Sequence, residues 1–131
     1  MKQLPVKYNK IIPFPGYFAI NLFGTMFVRE EYKHISINWR IMNHDGIHTL
    51  QALDFVGGNE KLQALGYCIF YILYFIEWII KLIPSIVTFG WIKAYQSISF
   101  EQEAYKYQSD ENYQSGRKKF AWIKYIFKFI K

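Results

Sequence analysis

The sequence predicts a mostly helical α+β domain, and three stretches carry this prediction. Residues 17–32 are rich in strand formers, residues 38–57 have apolar side chains at helical spacing, and residues 60–95 are a long apolar and aromatic run. A chain of 131 residues fits one domain, which we expect to span residues 1–131. Because 52% of its residues are hydrophobic, the composition excludes a disordered protein.

The first elements are expected to be an irregular lead-in and then a short β-hairpin. Residues 1–16 contain three prolines and end in a glycine, and these residues disfavour a helix. The next stretch, YFAINLFGTMFVREEY, favours two short strands that break between Asn21 and Gly24. We expect this hairpin to pack on the helix that follows it.

A helix of about 15 residues is predicted next, beginning near Asn38. Gly57 and Gly58 mark its C-terminal end, since glycine readily adopts the left-handed conformation that stops a helix. The apolar positions that recur at helical spacing are Ile41, Met42, Ile47, Leu50 and Leu53.

The aromatic run that follows is expected to be a buried core helix, or else a re-entrant or interfacial piece, rather than a membrane span. Its longest uncharged piece, residues 64–76, has thirteen residues, whereas a span needs about 20. Glu77 and Lys81 then follow as an expected surface ion pair, and Pro84 should kink or end the helix. The single cysteine, Cys68, is expected to be a buried, inert thiol in a reducing compartment, which favours a cytoplasmic location.

Two further helices complete the predicted fold. One begins near residues 97–101, where Ser97 or Ser99 could cap it. The other is a basic amphipathic helix over residues 117–131, which hold six of the sixteen Lys and Arg residues. This C-terminal helix is interpreted either as a solvated surface or as a peripheral membrane anchor. Nucleic acid is the least favoured partner, because no helix-turn-helix, zinc-finger or RNP pattern accompanies the basic residues.

A pair of histidines in the stretch NHDGIHTLQ is the strongest signal of chemistry. His44 and His48 lie four residues apart, so on a helix their side chains share one face and could bind one metal ion. A catalytic zinc site needs a third protein ligand. His34 is a weak candidate for it, and the acids of the later stretch SFEQEAY are better ones.

These two stretches resemble the small gluzincin-type zinc metallopeptidases, which have an H-E-x-x-H motif on one helix and a glutamate ligand on a later helix. The resemblance implies a zincin-like domain that binds zinc through His44, His48 and Glu101, with Glu103 as the alternative third ligand. It also implies that Asp45 acts as the catalytic general base and that the substrate is a peptide or protein. In this family an extended substrate pairs with a strand edge beside the active-site helix, a place that the predicted hairpin would take.

The chain departs from the family pattern at two positions. Asp45 replaces the usual glutamate and is one methylene shorter, so its carboxylate reaches less far toward a metal-bound water. Tyr105 replaces an aspartate that braces a histidine ligand in the family, so this role is either missing here or taken by another residue, for which Gln51 and Asp54 are candidates. Tyr105 or Tyr95 could hydrogen-bond the oxyanion.

Two other interpretations of the sequence stay open. In the first, the chain binds zinc as the family does but Asp45 is too short to support turnover. In the second, it is a non-enzymatic, membrane-associated interaction protein built on the aromatic helix and the basic C-terminus.

Overall fold

A small sheet followed by packed helices makes up the protein. The computed structural model describes residues 3–88 and 94–128, and for residues 84–88 only the backbone. The mostly helical α+β class that the sequence predicts is confirmed. The strands are Val6–Asn9 (β1), Ala19–Leu22 (β2) and Thr25–Arg29 (β3). The α-helices are Trp39–Asp54 (α1), Gln63–Thr88 (α2), Ser99–Tyr107 (α3) and Tyr113–Gly116 (α4). Within the described residues, three 3-10 helices lie between or after them, at Glu30–Tyr32, Glu60–Leu62 and Ala121–Tyr125.

The predicted hairpin is formed by β2 and β3, which pair antiparallel. Phe23 and Gly24 form its turn with φ values of 53° and 88°. Two successive residues with positive φ give the turn a twist that matches the strands it joins. The Asn21 side chain accepts a hydrogen bond from the Gly24 N–H at 3.0 Å, which further stabilises this turn.

The prediction that residues 1–16 are irregular is wrong for β1. This strand pairs parallel with β3, so the strand order is β1-β3-β2 and β2 lies at an edge. Pro5 lies immediately before the strand, where its missing N–H costs nothing, and its carbonyl accepts a hydrogen bond from Met26 at 2.8 Å.

Helix α1 follows the predicted boundaries. Asn38 caps it, since its side chain accepts a hydrogen bond from the Arg40 N–H at 2.8 Å. The N–H of Gly58 then binds the carbonyl of Leu53 at 2.9 Å, with Gly57 and Gly58 in the left-handed conformation.

Helix α2 packs closely on α1. A Cβ at Gly66 would lie 2.4 Å from the Ala52 carbonyl oxygen, so the two helices can touch there only because residue 66 is glycine. The Tyr67 hydroxyl lies 2.6 Å from the Thr49 hydroxyl on α1. The core between α2, α3 and the last 3-10 helix contains Tyr67, Phe70, Ile98, Phe100 and Trp122.

Of the two effects expected of Pro84, a kink or an end, the end does not occur, since α2 continues to Thr88. Two other predictions about this helix are wrong. Cys68 is exposed instead of buried. Only part of the aromatic run lies in the core, since Phe75 is exposed, and Phe89 and Trp91 lie outside the described residues.

The Glu77–Lys81 pair is a buried anchor and not the surface ion pair that we expected. Lys81 is only 2% exposed, and its Nζ lies 2.7 Å from Glu77 Oε2. The Glu77 carboxylate accepts hydrogen bonds from the backbone N–H and the hydroxyl of Ser99, at 2.6 and 2.5 Å. A carboxylate is favoured at this helix N-terminus, so Glu77 caps α3 in place of the predicted serine side chains.

The predicted amphipathic helix at residues 117–131 is wrong over residues 117–128, and residues 129–131 lie outside the described part. Phe120 adopts the left-handed conformation, with φ 59°, while its N–H binds Asp54 Oδ2 at 2.9 Å. A 3-10 helix then buries Trp122 and Tyr125. Lys81 holds the carbonyl of Tyr125 at 3.3 Å. Tertiary contacts therefore outweigh the helical periodicity of this segment.

Candidate metal centre

Two helices bring the three predicted ligands together. His44 and His48 lie one turn apart on α1, and Glu101 lies in the first turn of α3. His44 Nε2 is 2.9 Å from Glu101 Oε1, and His48 Nε2 is 3.1 Å from Glu101 Oε2. The potential ligand atoms all lie within 4.8 Å of one another, so this cluster could hold a metal ion.

Glutamine side chains orient both imidazole rings. His44 Nδ1 lies 2.9 Å from Gln108 Oε1, and His48 Nδ1 lies 2.7 Å from Gln51 Oε1. An amide oxygen only accepts, so each Nδ1 carries a proton that it donates to its glutamine, and Nε2 of both rings is turned toward Glu101. Gln51 is itself fixed, because its amide nitrogen donates to the carbonyl of Phe100 at 2.9 Å.

One buried atom in this cluster lacks a hydrogen bond. Among the described residues, His48 Nε2 has no hydrogen-bond partner, since the nearby Glu101 oxygen is out of line. A buried nitrogen without a hydrogen bond is costly, and once it has lost its proton its lone pair can bind a cation. Two imidazole nitrogens and one carboxylate oxygen form a donor set that suits zinc and neighbouring divalent metals.

The charges in the cluster shift the pKa values of His48 and Glu101, and these shifts affect metal binding. Burial lowers the pKa of His48, but the charges of Glu101 and Asp45 and the hydrogen bonds of the ring outweigh burial and raise this pKa to about 9. Burial alone would raise the pKa of Glu101, yet the two histidines hold it well below its usual range. At neutral pH a metal ion must therefore displace a proton from His48.

Asp45 lines a cavity of about 290 Å³ together with His44, His48 and Glu101. Burial raises the pKa of its carboxyl, and the neighbouring histidines offset part of this increase. Among the described residues its carboxylate has no hydrogen-bond or ion-pair partner, so it is available to a water or a substrate. A raised pKa makes the carboxylate a stronger base, which favours a role as a general base.

The other sequence candidates are placed elsewhere. Glu103 is buried against Arg117, whose Nε lies 2.5 Å from Glu103 Oε2, so it does not join the histidines. Asp54 binds the same guanidinium through both oxygens, at 3.1 and 2.9 Å, and therefore braces neither histidine. His34 is exposed and lies outside the cluster. Tyr105 packs edge-on against the His44 ring at 4.6 Å between centroids.

Two residues that contact the cluster were missed in the sequence. Gln108 lies seven residues after Glu101, a spacing of two helical turns, and that spacing could have placed both on one face of α3. Tyr74 donates a hydrogen bond to Glu101 Oε2 at 2.7 Å. No sequence signal separates this tyrosine from the other aromatic residues of α2.

Replacing Gln108 by alanine is expected to weaken zinc binding by about 10- to 100-fold. Without the amide oxygen, the His44 ring loses the contact that fixes its proton and its orientation. Competition with a chromophoric zinc chelator measures the affinity. Gln108→Glu keeps an acceptor and should bind as tightly as the unchanged chain, and Gln63→Ala, away from the cluster, serves as the control. Equal affinities for Gln108→Ala and the control would contradict the bracing role.

Comparisons with known proteins assign no family to this chain. No protein-family model, curated protein or solved structure matches it.

Proposed function

We propose that this chain is a zinc-dependent peptidase. The observation that carries the proposal is the convergence of His44, His48 and Glu101 in a pocket that Asp45 also lines. Three protein ligands leave one coordination position open, as in catalytic zinc sites, whereas structural sites use four. A zinc ion bound there would polarise a carbonyl and lower the pKa of a bound water.

An extended peptide is the substrate that the pocket favours. β2 lies at the edge of the sheet, and Ile20, Asn21 and Leu22 line the pocket together with the cluster. The Asn21 amide reaches the Asp45 carbonyl at 3.5 Å, which ties the edge strand to α1. A peptide that pairs with β2 would therefore run past Asp45, with backbone hydrogen bonds supplying affinity.

The side chains around the pocket divide the chemical work. Asp45 accepts a proton from the attacking water and delivers it to the leaving amine. Tyr95 lines the pocket and can donate a hydrogen bond to the developing oxyanion, whereas Tyr105 is better placed to support the His44 ring. Phe70 and Tyr71 provide an apolar wall for a substrate side chain.

Cleavage of unstructured peptides tests this proposal. The zinc-loaded chain should cut members of a mixed peptide library, detected by mass spectrometry, and a zinc chelator should abolish the cleavage. Added zinc should restore it, since the ligands are held in place by α1 and α3. A zinc-loaded chain that cuts no peptide would contradict the proposed activity while leaving the metal site intact.

A zinc-binding protein without turnover is the second candidate function. It is favoured by one observation, the aspartate at position 45 where the peptidases it resembles carry a glutamate. The two functions share the metal site and differ only in what Asp45 can reach.

A further inference from the structure

Helix α2 carries an exposed apolar stripe along the side that faces away from the domain. We define the α2 stripe as the residues Leu65, Ile72, Ile76, Ile79 and Ile83, which recur at helical spacing. Ile72 is 61% exposed and Ile83 is 70% exposed, and Phe75 and Ile80 widen the stripe on its flanks. A continuous exposed apolar surface of this length on a helix is typical of a site that binds a membrane or another protein.

The packing of α2 excludes a helix that crosses a membrane with lipid all around it. By length and composition, Glu60–Ile83 is apolar enough to span, and only 22% of its most apolar stretch is buried within the protein. Its other side, however, packs on α1 near Gly66 and binds the start of α3 through Glu77. Those partners carry polar and charged groups, so insertion across a bilayer would bury them in hydrocarbon. A helix that lies flat keeps them in water.

Three lysines surround Tyr125 of the C-terminal segment, which packs on α2. The Nζ atoms of Lys106, Lys124 and Lys128 lie 5.8, 5.3 and 5.5 Å from the centroid of the Tyr125 ring. Lys81 holds this segment to α2, because it donates to the carbonyl of Lys128 at 3.2 Å.

An exposed aromatic side chain joins these cations to the stripe. Phe127, between Lys124 and Lys128 in sequence, is 93% exposed. It lines an apolar groove of about 380 Å³ together with Ile76 and Ile80 of α2. Phe127 therefore connects the apolar groove on α2 to a segment that carries lysines, and helices that bind membrane surfaces combine apolar and basic residues in this way.

We propose that the α2 stripe docks flat on an anionic lipid bilayer, with Phe127 inserted beside it and the three lysines at the headgroups. The charge favours a bilayer over a second copy of the chain, since each copy carries a net charge of +6 and would bring its own lysines to the contact. This proposal does not depend on zinc or on peptidase activity.

Sedimentation of the full chain with lipid vesicles tests the proposal. We expect binding to phosphatidylcholine vesicles that contain phosphatidylglycerol and much weaker binding to phosphatidylcholine alone. Ile72→Ser with Ile79→Ser should weaken binding by about tenfold or more for each isoleucine removed from lipid. Lys124→Gln with Lys128→Gln should weaken it by roughly 30-fold, from the attraction of each lysine to an anionic surface.

Matched control variants distinguish binding through this surface from non-specific lipid binding. Ile11→Ser replaces an isoleucine that is 80% exposed but lies outside the stripe, and Lys33→Gln removes an exposed lysine elsewhere. Neither should change binding, and circular dichroism should show that every variant is folded. Three results would overturn the proposal: no binding to anionic vesicles, equal binding by the stripe variant, or a concentration-dependent dimer that the stripe variant abolishes.

Discussion

Replacing His48 by alanine is expected to reduce the zinc content of the purified chain from one ion per chain to none that is measurable. His48 supplies a buried Nε2 without a hydrogen-bond partner, and its loss leaves one histidine and one carboxylate. Two ligands do not hold zinc against free solution, because structural and catalytic sites use at least three protein ligands. Elemental analysis of the protein after removal of free zinc measures the effect.

Two further variants make this experiment specific. His34→Ala removes an exposed histidine outside the cluster and should keep its zinc. Glu101→Gln keeps the size of the side chain while removing its charge, so it should lose zinc without opening a cavity. Zinc retained by both His48→Ala and Glu101→Gln would place the metal elsewhere. No zinc in the unchanged chain would leave the cluster as a buried ionic network.

Local signals in the sequence were sufficient for the hairpin and for α1. Strand formers around Gly24 and the helical spacing between Asn38 and Gly57 depend on near neighbours only, and the structure follows them. β1 was missed because its evidence is not local. Its partner β3 lies about twenty residues away, and the prolines around it resemble those of a loop.

The C-terminal segment shows how burial overrides periodicity. Alternating lysines and aromatics predicted an amphipathic helix there, but Trp122 and Tyr125 are drawn into the core. The Glu77–Lys81 pair was judged by its i,i+4 spacing alone. Only the fold shows that these charges face backbone groups of another helix and of the C-terminal segment.

The site was predicted in part because its motif is local. The spacing of His44 and His48 places both rings on one helical face, whatever the rest of the fold does. The choice between Glu101 and Glu103 could not be made from the sequence, since it depends on a distant residue. Arg117, fourteen residues further along the chain, binds the carboxylate of Glu103. Gln51 was anticipated as a possible brace, and it does contact His48.

Asp45→Asn is expected to lower kcat by about 10²- to 10⁴-fold while leaving the zinc content unchanged. Asparagine keeps the shape of the side chain but cannot accept the proton that hydrolysis releases. The peptide assay measures the rate, and elemental analysis of the same sample measures the zinc. Glu111→Gln removes an exposed carboxylate outside the metal cluster and should leave the rate unchanged. An Asp45→Asn rate equal to that of this control would exclude Asp45 as the general base.

Asp45→Glu then distinguishes an adapted site from an impaired one. If the pocket has adapted to aspartate, the longer side chain is displaced from the water and the rate falls. If aspartate is simply too short, glutamate reaches the water and the rate rises, and the natural chain is the zinc-binding protein without turnover. The edge strand favours the first outcome, because Asn21 of β2 contacts the backbone of α1 at Asp45, so a peptide that paired with β2 would run close to this residue.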